Sequence, residues 1–170
     1  SLLNSYLIHT PMKPLKILSL SALIMLYLAG LSQNNCLEFD GFNDRVVVSK
    51  SLNGYSEITV EAWVNPYSFN TQSPDNFISN VLGHDDASVL MRIGDEDASN
   101  MVDDNRAQFV VITQNGGVKC NSTTEMEVNT WYHIAGTYDG SSVKIYVNGI
   151  LEDSKALTGS VSTAMSEINI

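Results

Sequence analysis

Basic residues are scarce in this chain. Nine Lys and Arg stand against nineteen Asp and Glu, for a formal net charge of −10. A surface of that sign repels phosphate backbones, which argues against a nucleic-acid partner. Cysteine is nearly absent, with Cys36 and Cys120 alone, and no Cys-x-x-Cys pair offers a metal site. Also missing are a nucleophile elbow, a phosphate-cradling glycine loop and an EF-hand spacing. No apolar run reaches the ~20 residues of a membrane-spanning helix. Helical periodicity is absent outside the first 35 residues, so the remainder must bury its apolar side chains as strands.

What is present is strand pattern broken by turn signals. Val143, Ile145 and Val147 alternate with Lys144, Tyr146 and Asn148 between two turns, Asp139-Gly140 and Asn148-Gly149. A period of two places one side of a strand in a core and the other in water. Tight hairpins need positive φ, which Gly reaches without steric cost. Strands are expected at 36–39, 45–48, 56–65, 76–82, 88–93, 106–113, 118–121, 130–138, 142–148, 150–156 and from 167 onward. In the third of these Ile58, Val60, Ala62 and Val64 share one face, and Glu57, Thr59, Glu61 and Trp63 the other, so only one face can be core. The fold class is all-β.

The stretch from Trp131 to Gly149 resembles the central hairpins of laminin-G-like, concanavalin A-type jelly rolls, the pentraxin and lectin-glucanase superfamily. The segment from Leu37 to Val46 is similar to the opening of such domains in secreted bacterial proteins, and Ile58 to Pro66 to their first long strand. The resemblance implies a two-sheet antiparallel jelly-roll sandwich over residues 36–170. The last residues, Glu167-Ile168-Asn169-Ile170, read as a strand just beginning, so the sandwich is expected to be truncated at its C-terminus.

Lys13 and Lys16 precede an uncharged apolar run at 17–31 with small residues near its end. That layout predicts a signal peptide at 12–35, cleaved between Ala29 and Gln33, with a membrane anchor as the alternative. Residues 1–11 then lie upstream of the true start at Met12. Without the two lysines the formal charge falls to about −12. Secretion or a cell-surface location is the corollary, with no stable membrane span once the signal is removed. In an oxidising compartment an even cysteine count suggests a Cys36–Cys120 disulfide, with lipidation of Cys36 as the rival.

Among enzymes, glycoside hydrolases of the laminarinase sort resemble the same sandwich and carry a Glu-x-Asp-x-x-Glu strand. This sequence has none; Asp95-Glu96-Asp97 is the nearest approach. His9, His84 and His133 have no evident catalytic partners, and the chain is expected not to be an enzyme. Relatives of the fold carry calcium at the rim, which makes calcium the cofactor to weigh. Asp40 and Asp44, around Gly41, are the candidate ligands, with Asp85, Asp86, Asp95, Glu96 and Asp97 a second cluster. The competing reading is that these are ordinary turn residues.

Exposed aromatic rings stack on sugar faces, so Tyr67 and Phe69, in the loop after Pro66, are the candidate ligand-binding residues. Trp63, Trp131, Tyr132, Tyr138 and Tyr146 lie on strands and are expected in the core. Asn121-Ser122-Thr123 is a glycosylation sequon, discounted in a bacterial-looking chain. The expected function is recognition of a glycan or an extracellular protein. The alternatives are an accessory domain of a larger polysaccharide-degrading enzyme and a structural spacer of an adhesin.

Overall fold

The computed structural model describes residues 36–40, 44–69, 78–83, 88–94, 105–162 and 167–170. The chain divides into two compact units, Ser1–Asp40 and Gly41–Ile170. Of the first, residues 36–40 are exposed and form no strand, contrary to the strand expected at 36–39. The signal segment at 12–35 and the start at Met12 lie outside the described residues. Among the described residues no helix is long and apolar enough to cross a membrane.

The described residues of the second unit hold ten strands: β1 (Val47–Val48), β2 (Ile58–Val64), β3 (Ile78–Leu82), β4 (Val89–Gly94), β5 (Ala107–Thr113), β6 (Gly116–Asn121), β7 (Tyr132–Tyr138), β8 (Ser142–Val147), β9 (Ile150–Ala156) and β10 (Ile168–Asn169). They form two four-stranded antiparallel sheets, a first in the order β2-β7-β8-β9 and a second in the order β3-β4-β5-β6, while β1 pairs with β10. The all-β sandwich read from the sequence is the fold observed.

Local chemistry explains the meander of the first sheet. Asn148 and Gly149 both take positive φ, 50° and 80°, in a two-residue loop between β8 and β9. This is the backbone of the turn type whose twist matches the strands it joins. At the preceding turn the Asp139 carboxylate accepts hydrogen bonds from the backbone and hydroxyl of both Ser141 and Ser142, and from Lys144 Nζ at 3.0 Å.

The core lies between the sheets. Ile134, Val143, Ile145 and Val147 of the first meet Met91, Phe109, Val111 and Cys120 of the second. Gly136 on β7 is where the layers come very close, since a Cβ there would lie 2.3 Å from the Phe109 ring. Along one edge polar side chains clasp the layers. Asp153 on β9 accepts from the Asn121 N–H at 3.1 Å, Lys155 donates to the Lys119 carbonyl, and Glu152 accepts from the Thr123 and Thr124 amides. These bonds occupy groups that an unpaired strand edge leaves open to other chains.

Candidate functional site

Alternation settles what the first sheet shows on its outer side. On β2 the burial alternates along the strand, turning Ile58, Val60, Ala62 and Val64 inward and Thr59, Glu61 and Trp63 outward. The register continues the outer face across the sheet. Trp63 is opposite His133; Glu61 is opposite Ala135, which is opposite Tyr146, which is opposite Leu151; Thr59 is followed by Thr137, Lys144 and Ser154.

Trp63 is 67 % exposed at the end of a rigid strand. Its ring centroid lies 5.2 Å from that of His133 at 50°, and His133 Nε2 is 3.6 Å from Glu61 Oε2. The indole, imidazole and carboxylate therefore sit together on an open surface. Trp131, two residues before His133 and so of the same parity, is 47 % exposed. Both tryptophans were expected in the core. They are outside because they fall at outward positions, and alternation outranks side-chain hydrophobicity in a sheet with one covered face.

The tyrosines of β7 behave as expected. Tyr132 and Tyr138 point inward, where a buried hydroxyl must find a partner. Tyr132 Oη accepts the Glu127 N–H at 3.0 Å, and Tyr138 Oη donates to the Gly159 carbonyl. Burial, and then the nearby Asp139 charge, raise the Tyr138 hydroxyl above its ordinary pKa.

The two loop aromatics diverge. Tyr67 is 64 % exposed, whereas Phe69 is half-buried and packs against the core cluster, so it does not share the free surface expected of it. The backbone bond from Asn129 N to the Pro66 carbonyl, 2.7 Å, brings the end of β2 beside the turn that precedes Trp131.

The outer side of the second sheet is different in kind. Arg92 is opposite Gln108, which is opposite Asn121. Arg92 Nε and Nη2 both donate to Gln108 Oε1, at 2.8 and 2.5 Å, and Gln108 Nε2 donates to Asn121 Oδ1 at 2.7 Å. Arg92 and Gln108 are buried, as are Leu90 and Val110 beside them. No sequence motif announces this ladder, because it depends on the register in which three successive strands pair. It also engages the asparagine of the sequon, and Ser122 is buried with its hydroxyl accepting from the Ala107 N–H.

The best-defined carboxylates are structural. Hydrogen bonds from Ser141, Lys144 and Ser142 hold the Asp139 carboxyl far below the usual carboxylate range, and Asp139 in turn raises the Lys144 ammonium. Burial pushes the Glu152 carboxyl up, but bonds from Thr124 and Thr123 together outweigh it and keep it low. Groups held ionised in this way are poor proton donors at neutral pH.

Among the described residues no three His, Cys, Asp or Glu side chains converge on a metal position. Asp40 and Asp44 are both exposed, and residues 41–43 lie outside the described residues, as does the second acidic cluster. Two carboxylates by themselves fall short of the six to eight oxygens calcium takes. Both cysteines are free thiols: Cys36 is exposed, and Cys120 is buried with Sγ 3.2 Å from the Val143 carbonyl. The expected Cys36–Cys120 disulfide is therefore not made in this structure. Cys120 is instead a packed core residue.

The chain matches the family Laminin_G_3, of the concanavalin A-like lectin/glucanases superfamily, over residues 40–169. None of the curated proteins compared with it matches. Among solved structures it is similar to a Bacteroides ovatus protein described as a putative carbohydrate binding protein, with 22 % identity and a TM-score of 0.57 over 74 % of this chain and 34 % of that one. It is also similar to the heptameric SAP-like pentraxin of Limulus polyphemus, with 12 % identity and a TM-score of 0.50 over 78 % of this chain and 58 % of the pentraxin. A further likeness is to the mouse laminin α1 chain domains LG4-5, with 11 % identity and a TM-score of 0.47 over 82 % and 38 % of the two chains. The chain thus spans about a third of the Bacteroides protein and just over half of the pentraxin. At such identities the likeness is one of fold. The family match, however, runs through every strand from β1 to β10, and on that ground the chain belongs to the concanavalin A-like lectin/glucanases superfamily.

Proposed function

We propose that this chain is a non-catalytic extracellular recognition module that binds glycans on the outer face of the first sheet. The observation that carries the reading is Trp63, a large apolar ring held out in water beside His133 and Glu61. An indole face stacks on the C–H face of a sugar ring, and a carboxylate and imidazole at its margin exchange hydrogen bonds with hydroxyls. The description of the Bacteroides neighbour as carbohydrate binding supports the same reading. An extracellular setting agrees with the signal segment read at 12–35.

The non-catalytic half of the reading is supported by the described carboxylates. Glycoside hydrolysis needs two carboxyl groups flanking the bond, one of them able to give up a proton. Glu61 lies on an open face beside His133, and Asp139 and Glu152 are committed to turn and edge. Retention of the full chain on immobilised polysaccharides, with reducing ends assayed in the supernatant, tests the proposal. Retention without reducing-end release, lost in Trp63→Ala, is the expected result. Retention unchanged in Trp63→Ala would show that the sugar binds elsewhere.

Calcium assistance is a separate proposal, supported by the acidic residues Asp40 and Asp44 near the start of the domain. A metal that binds only the folded state raises its melting temperature. The chain should melt higher in millimolar calcium than in chelator, and Asp40→Ala with Asp44→Ala should remove the difference.

A further inference from the structure

Strand edges are where a sheet can take on another chain, and the edges of this domain are not alike. β9 and β6 are bound to each other by the side-chain clasp between them. β1 pairs with β10 and, among the described residues, with no other strand.

Its outer edge carries a defined set of backbone groups. Val46 and Ile170 exchange both of their backbone bonds, at 2.7 and 2.9 Å. Bonded and unbonded pairs alternate along an antiparallel ladder, so Val47, opposite Asn169, has its N–H and C=O turned away from β10. Asn169 obeys the same rule on its own side, where its carbonyl accepts the Gly83 amide at 2.7 Å just beyond β3. The side chains add apolar surface. Val46, Val47 and Val48 are all exposed although they alternate between the two faces of the ribbon, and Ile170 beside them is exposed too. Valine in a strand gains by packing against a neighbouring strand.

Charge selects the partner. Copies of a chain of net charge −10 repel one another over most of their surface. β1 is different, because Asp44 and Arg45 precede it and Lys50 follows, leaving residues 44–50 with two basic groups and one acidic. β2 also has a single partner strand among the described residues, but it carries Glu61, follows Glu57, and has no Lys or Arg between residues 57 and 65.

We infer that β1 pairs antiparallel with β1 of a second copy of this chain, about a two-fold axis at Val47. In that register each Val47 donates to and accepts from the other, Val46 faces Val48 of the second copy, and Asp44 faces its Lys50 at both ends. Past Val48 the backbone turns, with the Lys50 amide donating to the Val48 carbonyl at 2.8 Å, and the long lysine side chain spans the remainder. A contact this short belongs to the weak, transient class of interfaces, so the dimer depends on concentration.

Sedimentation velocity of the full chain over a concentration series, in chelator so that calcium plays no part, reads the dimer directly. Asp44→Lys and Lys50→Glu, each alone, set like charges against each other at both ends and should weaken the dimer about tenfold. Mixed in equal amounts, the two variants restore both ion pairs, and a dimer of parental strength should return. Val47→Pro removes the amide that crosses the axis and none that bonds β10, a position where an edge strand tolerates proline. It should abolish the dimer while leaving glycan retention unchanged, and the melting temperature too at concentrations where the parent is monomeric.

A chain that stays monomeric at every concentration, or a dimer that survives Val47→Pro, overturns the inference. So does a failure of the mixed variants to recover, which removes the register, and so does a dimer lost only in Trp63→Ala, which moves the interface to the first sheet. Retention on polysaccharide is read separately, so none of these outcomes touches the glycan-binding proposal.

Discussion

The outer faces of the two sheets answer the same geometric situation in opposite ways. On the first, Trp63, Glu61 and Leu151 stand in water; on the second, Arg92 is 2 % exposed and Gln108 fully buried. A buried polar row must be satisfied, and the chain of bonds from Arg92 through Gln108 to Asn121 contributes to that. An exposed aromatic row has no such obligation and is free to be used. The comparison teaches that polarity does not mark the surface in this domain: its guanidinium is structural and its indole is available.

The largest effect should come from breaking the buried row. Gln108→Leu takes away the acceptor that serves two Arg92 donors, and hydrogen bonds to a charged group are worth ~1.5–3 kcal/mol. The urea midpoint should fall accordingly. A neutral outcome would erase the distinction between the faces.

Gly136→Ala tests the layer the two sheets share. The new methyl group meets the Phe109 ring, and overpacking of this kind costs ~1–3 kcal/mol. Denaturant unfolding measures it, and Phe109→Leu in the same background should recover part of the loss.

Cys120 sharpens the contrast through pH. Burial, and then the Asp153 carboxylate, push its thiol up to about 11. The folded state thus holds the proton more tightly than the unfolded chain, whose thiol titrates near ~8.5. Its contribution is complete below that value and is lost as pH rises toward 11. Melting between these limits should decline less steeply in Cys120→Ala. Thiol labelling should find Cys36 alone in the native protein and both cysteines after unfolding.

The smallest stability change belongs to the exposed face. Trp63→Ala should alter the free energy of unfolding by no more than ~0.5 kcal/mol while removing glycan retention. A change of several kcal/mol would mean that the ring is packed rather than presented.

Much of this architecture was legible in the sequence where it depends on neighbours along the chain. The strand at 150–156, the Asn148-Gly149 hairpin and the two faces of β2 can be read from local alternation and turn chemistry. The pairing register of β4, β5 and β6 was not legible. The Arg92–Gln108–Asn121 row joins residues 16 and 13 positions apart. The outward positions of Trp63 and Trp131 were within reach: the inward set Ile58, Val60, Ala62 and Val64 already placed Trp63 opposite, but hydrophobicity argued the other way. The exposure of Tyr67 was legible because Pro66 ends the strand and releases the loop after it. Phe69, two residues on, turns back to the core, which no local signal announces.

The clasp between β9 and β6 bears on the order in which the domain assembles. β7, β8 and β9 succeed one another through turns of two and three residues, so their ladders close small loops and form early. The bonds from Asp153, Lys155 and Glu152 span 28 to 36 residues and require both sheets to be in place. The meander is thus suited to serve as the nucleus, with φ-values well above those of the clasp. Weakening the clasp should leave the folding rate nearly unchanged and hasten unfolding instead, making Asp153 and Glu152 governors of how long the native state lasts.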